Sequence, residues 1–336
     1  MSISTLTEGN QNKNDLQSFA ALSKVFEAKF NKRKFPEQPA QLYDAAQYLL
    51  TVGGKRIRPV MCLMANEMFD EIKEDAYEVA GAIELFHNFT LIHDDIMDHA
   101  PLRRGKPTVH IKFGESTALL AGDVMLIAAY ESLNRINIDY LQSILNIFNA
   151  TAKKVCEGQQ LDMEFEKQDV VNFEEYVNMI SLKTSVLLAA SLQMGAVLGG
   201  AGAGNQKHLY EFGKNLGIAF QVQDDYLDAF GNPEKFGKKP GGDIMANKKT
   251  FLWLKAMESG TAQQKKKLSE LLFCDDASKV EEVLEIYKEC NIDDWAKDLK
   301  QKYYSAAMDH LEEVAVRSVR KEQLKQLADF LMERDV

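Results

Sequence analysis

The sequence predicts an all-α protein, built as one bundle of about a dozen helices with several buried central ones. Three observations predict it. Apolar residues recur at three- and four-residue steps, not in strict alternation, along nearly every long segment. Only seven prolines occur, and Pro59, Pro101, Pro107 and Pro240 fall where a helix should start or stop. No Asn-Gly turn stands between alternating strands.

Taken in chain order, residues 1–16 are polar and predict a frayed lead into the first helix, LQSFAALSKVFEAKF (16–30). That lead has neither the arginines of a transit peptide nor the apolar core of a signal peptide. GGKRIRP (53–59) sets Lys55 and Arg58 behind a glycine pair at a helix start. The run VAGAIELFHNFTLIHDDIMD (79–98) is helical and should end at Pro101, turning Arg103 and Arg104 back over its end. SILNIFNATAKKVCEGQQLDMEFE (143–166) and HLYEFGKNLGIAFQVQDDYLDAF (208–230) are long helices. Between them, residues 184–204 carry no charge over about 20 residues, the length that spans a bilayer. Ser185, Ser191, Gln193 and the Gly/Ala-rich end predict a buried core helix there and no membrane span. The stretch 260–300 is charge-dense and predicts peripheral helices. No linker-like composition divides the 336 residues, so one domain over 1–336 is expected.

Bulk composition narrows the function. The chain is 46% apolar and 27% charged, which suits a packed core. A net charge of −10 argues against nucleic acid as the main partner. The four cysteines, Cys62, Cys156, Cys274 and Cys290, show no C-x-x-C spacing, so reduced thiols in a cytoplasmic setting are expected.

Chemistry enters with the acidic residues. In a helix, positions i and i+4 share a face, so Asp94 and Asp98 project together with Asp95 at the edge. Asp224, Asp225 and Asp228 repeat the D-D-x-x-D spacing on a second apolar helix. One copy is compatible with a cap or a solvated face; two copies on helices fit for burial point to cation binding, because buried like charges need pairing or a metal. Magnesium is held by one or two carboxylates per ion plus substrate phosphates. An iron-carboxylate bundle would want paired Glu-x-x-His motifs, and Glu84–His87 is a single instance. Arginine and lysine suit phosphate oxygens. Lys55, Arg58, Arg103, Arg104, Lys183 beside Thr184, Lys238 and Lys248 each read as ordinary surface charge alone; together, beside two acidic helices, they read as a phosphate pocket.

The motifs GGKRIRP, DDIMD with LRRGKPT, EGQQLD (157–162), KT, FQVQDDYLD and GKKPGGDI…KKT occur in this order. From about residue 45 to 255, and more loosely beyond, the chain resembles the trans-polyprenyl diphosphate synthases, such as farnesyl and geranylgeranyl diphosphate synthase. The resemblance implies an isoprenoid synthase fold with a central cavity, and condensation of isopentenyl diphosphate with an allylic diphosphate. It implies several Mg2+ ions per site, with Mn2+ as a substitute, on Asp94, Asp95, Asp98, Asp224, Asp225 and Asp228. Arg103, Lys183, Lys238 and Lys248 then grip the allylic diphosphate, with Thr184 and Gln221 near the reacting allyl group. Lys55, Arg58, His87 and Arg104 look like the isopentenyl diphosphate site, and Gln159 and Asp162 line the same cavity. His93 reads as structural. A homodimer is implied.

Product length should be set about one turn before Asp94. In the family an aromatic residue five positions before the first aspartate goes with short products, and Phe89 stands there, next to the smaller Thr90. The pattern looks most like the archaeal geranylgeranyl type (C20), with farnesyl (C15) as the alternative and longer chains behind it. Ideal helix geometry instead places Thr90 near the Asp94 face and Phe89 about 140° away. A terpene cyclase would not need two D-D-x-x-D copies and a second cationic site. A non-catalytic partner subunit would be expected to lose one motif.

Overall fold

The computed structural model describes residues 16–168, 171–231, 241–274, 276 and 278–333. Expectations for residues 1–15, Lys238 and Pro240 fall outside them. The described chain is helical almost throughout. Its first helices are α1 (Phe19–Phe30), α2 (Ala40–Thr51), α3 (Ile57–Glu67) and α4 (Glu74–Met97). After a short ribbon come α5 (Val109–Phe113), α6 (Glu115–Leu133), α7 (Ile138–Lys167) and α8 (Phe173–Ile180). Helix α8 runs through a π-helical turn, Ser181–Ser185, into α9 (Val186–Leu198), followed by α10 (Ala203–Phe230) and the four-residue α11 (Gly242–Met245). The peripheral helices are α12 (Phe251–Ser259), α13 (Ala262–Leu271), α14 (Ser278–Glu289), α15 (Ile292–Glu312) and α16 (Glu322–Met332).

The uncharged run is the middle of the molecule. Helix α9 packs against α3, α4, α7 and α10, and its Leu187, Leu192, Met194 and Leu198 are buried. Each such side chain contributes about 1.5–3 kcal/mol on burial. The run is therefore a core helix, as its serines and glutamine predict. Further apolar clusters lie beneath α8, α10 and α12–α15, and between α2, α4, α5 and α6. Two stretches, Phe173–Leu198 and Glu115–Leu133, are long and apolar enough to cross a membrane; in the 18-residue apolar part of each, 72% is buried in the first and 39% in the second.

One departure from pure helix matters for the site. Leu102–Arg103 pairs antiparallel with Lys106–Pro107, where no hairpin is expected from the sequence. Arg104 and Gly105 both take positive φ, 53° and 74°. Two consecutive left-handed residues make the tight turn that matches strand twist. Helix α4 ends with His99 left-handed (φ 49°), ahead of Pro101, so the ribbon folds back beside the aspartates.

Candidate active site

The first aspartate motif closes α4. Asp95 is 1% exposed, and both its oxygens accept from Arg103: Nε to Oδ2 at 2.8 Å and Nη2 to Oδ1 at 2.7 Å. The ribbon turn makes this possible by returning Arg103 to a residue eight positions earlier. Asp95 is thus engaged inside the protein, paired with Arg103. Asp94 and Asp98 are more open. Burial pushes the Asp94 carboxyl up to about 6; Asp98 adds to this, while Lys183 and Arg103 oppose it.

Helix α7 and the π turn supply the adjoining wall. Gly158 permits their contact, since a Cβ there would lie 2.3 Å from the Lys183 nitrogen. This close approach pairs Asp162 with Lys183 at 2.5 Å. Burial works against the Lys183 charge, but Asp162, Asp94 and Asp98 outweigh it and raise its pKa. π turns recur at functional positions, and this one carries Lys183 and Thr184. Both amide atoms of Gln159 are buried and without a hydrogen-bond partner. A buried polar group in that state is costly without a ligand or water to satisfy it.

The second motif repeats the design of the first. On α10, Asp224 is exposed and Asp228 half-buried, while Asp225 is 3% exposed. Asp225 accepts from Gln221 Nε2 at 2.8 Å and from the Tyr176 hydroxyl at 3.4 Å. Burial pushes its carboxyl up to about 8, although the Gln221 bond opposes this. In both copies the middle aspartate is the most buried of the three and is bonded to neighbouring side chains. Asp228 Oδ2 accepts from the Asp243 amide at 2.9 Å, and Lys248 lies 3.3 Å from Asp243. Lys248 also senses Asp98 and Asp162, so its charge lies within electrostatic reach of the first motif as well as the second.

A second cationic patch lies along α3 and α4. Arg58 Nη1 is 3.3 Å from His87 Nε2. The Arg104 guanidinium lies against Gly54, where a Cβ would come within 3.0 Å of it. Burial lowers the His87 pKa well below its ordinary value, and Arg58, Arg104 and Arg103 lower it further. Burial lowers Arg58 as well, against the pull of Glu84. Such a cluster favours an anion. Lys55 is exposed at its edge. Glu84, the carboxylate of the lone Glu-x-x-His, is committed to Arg56 and accepts from Asn88 at 3.0 Å. That engagement removes the iron-carboxylate reading.

Phe89 packs 4.7 Å edge-on to His93 and 5.6 Å from Phe86. His93 is 3.1 Å from the Leu119 carbonyl of α6, in the structural place expected for it. Thr90 donates to the His87 carbonyl at 2.8 Å. Sequence reasoning passed over Tyr176, Asp243 and Arg56. Tyr176 looks like any core aromatic, whereas the GGDI run offered a usable signal for Asp243.

Hard carboxylate oxygens on Asp94, Asp98, Asp224 and Asp228, beside cations and an unsatisfied amide, suit a divalent ion shared with phosphate. No cluster of three or more acidic, His or Cys side chains poised to hold an ion occurs among the described residues. Magnesium tolerates such a set, because it uses one or two carboxylates with substrate phosphates completing its shell. Fold and site define an all-α protein with two acidic helices and two cationic patches, a charge arrangement suited to phosphorylated anions.

Residues 39–290 match the family model described as polyprenyl synthetase. The short chain isoprenyl diphosphate synthase of Methanothermobacter thermautotrophicus is 39% identical over 298 residues, covering 88% of this chain and 91% of that protein. The geranylgeranyl diphosphate synthase of Saccharolobus solfataricus is 39% identical over 300 residues, covering 87% and 90%. A crystal structure of a geranylgeranyl pyrophosphate synthase superposes with a TM-score of 0.90 at 42% identity, covering 95% of this chain and 99% of the other. The chain belongs to the polyprenyl synthetase family and is a prenyltransferase with the all-α isoprenoid synthase fold.

Proposed function

We propose that the chain is a geranylgeranyl (C20) diphosphate synthase, working as one domain over 1–336 in the cytoplasm as a homodimer. The observation that carries the synthase reading is the pair of separate anion-binding patches. One holds Arg103, Lys183 and Lys248 beside the aspartates; the other holds Arg58, His87 and Arg104. Two diphosphates joined tail to head need two such patches, and a cyclase needs one. The C20 reading follows the names of relatives at 37–39% identity; those named geranylfarnesyl diphosphate synthase are at 34%. Farnesyl diphosphate remains the alternative product.

In this reading Arg103, oriented by Asp95, joins Lys183, Lys248 and Lys238 in taking up charge on the departing diphosphate. Several Mg2+ ions, replaceable by Mn2+, would sit on Asp94, Asp98, Asp224 and Asp228 and act as Lewis acid toward that group. The Gln221 amide donates its N–H to Asp225, which turns its carbonyl oxygen toward positive charge. Thr184 and a carbonyl near Lys183 complete that lining, with Gln159 and Asp162 beside them. Arg58, His87, Arg104 and Lys55 hold isopentenyl diphosphate so that its double bond attacks the allylic cation. The released diphosphate takes the last proton, so no protein base is needed, and the double bond is itself the nucleophile.

The test is to incubate the protein with Mg2+, isopentenyl diphosphate and, separately, dimethylallyl, geranyl and farnesyl diphosphates, and read products by mass spectrometry. C20 is expected. C15 alone would move the product assignment; no elongation by folded protein would sink the reading.

A further inference from the structure

Lys248 is more exposed than Arg103 and Lys183, with its side chain 60% accessible against their 26% and 21%, and Asp243 is its ion-pair partner. It follows α11, a helix of four residues, on a segment with little regular structure of its own. A long, flexible ammonium serves as an aimed charge only if its backbone is fixed. The residues on either side of it are fixed, in opposite directions.

On one side, Asn247 is left-handed (φ 57°) and closes α11: its amide donates to Ile244 at 3.1 Å, and the Lys248 amide donates to Asp243 at 3.0 Å. The Asn247 side-chain oxygen accepts from the ammonium of Lys279, in the first turn of α14. Lys279 is 2% exposed, a depth at which an ammonium needs hydrogen bonding to be tolerated. The same turn of α14 also packs on the start of the segment, since a Cβ at Gly241 would come 2.5 Å from Val280. On the other side, Lys249 donates to the Phe165 carbonyl at 2.9 Å and to the Gln168 carbonyl. Those carbonyls end α7, where a helix leaves acceptors without partners and carries negative partial charge. Helix α7 also carries Asp162, the partner of Lys183. Lys249 therefore ties the backbone of Lys248 to the helix that holds the other lysine of the patch.

We propose that Lys249 and Lys279 are positioning residues of the condensation: they anchor the chain on either side of Lys248 and aim its ammonium at the allylic diphosphate. The inference rests on the reading of Lys248 as a ligand of that group. Neither lysine touches substrate; each acts through the backbone between them.

Steady-state kinetics on the full chain with Mg2+ test it. Lys249→Met and Lys279→Met should each raise KM for the allylic diphosphate on the order of tenfold, as loss of a supporting contact does. KM for isopentenyl diphosphate should stay within about twofold, since its patch lies on α3 and α4. Lys249→Arg, which can still donate to both carbonyls, should recover most of the loss. In a Lys248→Ala background neither Met substitution should have a further effect. Lys279→Met should lower the melting temperature only modestly, because the Asn247 oxygen it leaves behind belongs to an exposed residue that water can satisfy. If that variant does not fold, the Lys249 series carries the test alone. Additive losses with Lys248→Ala, equal rises in both KM values, or unchanged kinetics would overturn the positioning role. If Lys248→Ala itself leaves the allylic KM unchanged, the reading of Lys248 fails instead, and the inference falls with it.

Discussion

Asp94 and Asp95 are neighbours in sequence with opposite duties, and substitution should separate them. Asp95 is buried with two charge-assisted bonds from Arg103, which is itself 26% exposed. Breaking a fully buried pair costs about 3–5 kcal/mol; partial exposure of Arg103 places Asp95→Asn nearer ~2–3 kcal/mol. Urea unfolding should show that loss. Asp94→Asn should leave stability unchanged or higher while lowering kcat/KM by about 100-fold or more. Equal stability losses in the two variants would contradict the assignment. The pH response belongs to the same residue. Burial first, then Asp98, raises the Asp94 pKa from 3.8 to about 6 in the folded chain. In metal-free protein the resulting contribution to stability is complete below about pH 4 and is lost as pH rises through about 6. Metal binding runs the other way, because it needs the ionised carboxylate. The Mg2+ concentration for half-maximal activity should therefore rise as pH falls below about 6, approaching about tenfold per unit for one proton. A flat Mg2+ requirement from pH 7 to 5 would refute this.

At the scale of elements, the two aspartate helices use one pattern twice: the first and last carboxylates are the more exposed, and the middle one is buried and bonded inside. For α4 this leaves product length to the turn before Asp94. Phe89 lies edge-on to His93, which is bound to the α6 backbone, so its ring occupies the seam between α4 and α6. Thr90 instead faces along the His87–Asp94 side. Phe89→Ala should open the seam and lengthen the product by one or more isoprene units, read by mass spectrometry; an unchanged product would move the limit to Thr90. The helices and the shared face of Asp94 and Asp98 were legible because each depends on spacing within a few turns, whereas the cationic residues, spread from Lys55 to Lys248, were legible only through the order of motifs in the family resemblance. Local sequence could not show that Asp95 belongs to Arg103, since the link depends on an arginine adopting positive φ in the ribbon turn. Nor could it show Tyr176 on Asp225 or Lys249 on Phe165, pairs 49 and 84 residues apart that only packing brings together.

At the scale of the whole molecule, α6 is apolar on both sides although only one is covered. Ala118, Ala121, Met125 and Ala129 are buried, on the side packed against α2 and α4. Leu119, Leu120 and Ile127 point outward, with exposures of 49%, 54% and 58%, and Tyr130, 38% exposed, borders them while packing edge-on to Phe148 of α7. A stripe of large apolar side chains along one helix marks an association surface more often than a solvated one. The proposed homodimer would bury it in a self-complementary contact, α6 against α6 of a second copy. The same helix accepts His93 through its Leu119 carbonyl, so association would also stiffen the wall against which Phe89 packs. Ile127→Glu places a charge in the stripe without touching the cleft, and should shift the protein from dimer to monomer in light scattering at micromolar concentration. Helical content should be retained. The melting temperature of the unsubstituted chain should rise with protein concentration, as for any folded state stabilised by association, whereas that of Ile127→Glu should not. A monomeric parent chain, or a variant that stays dimeric, would move the interface off α6.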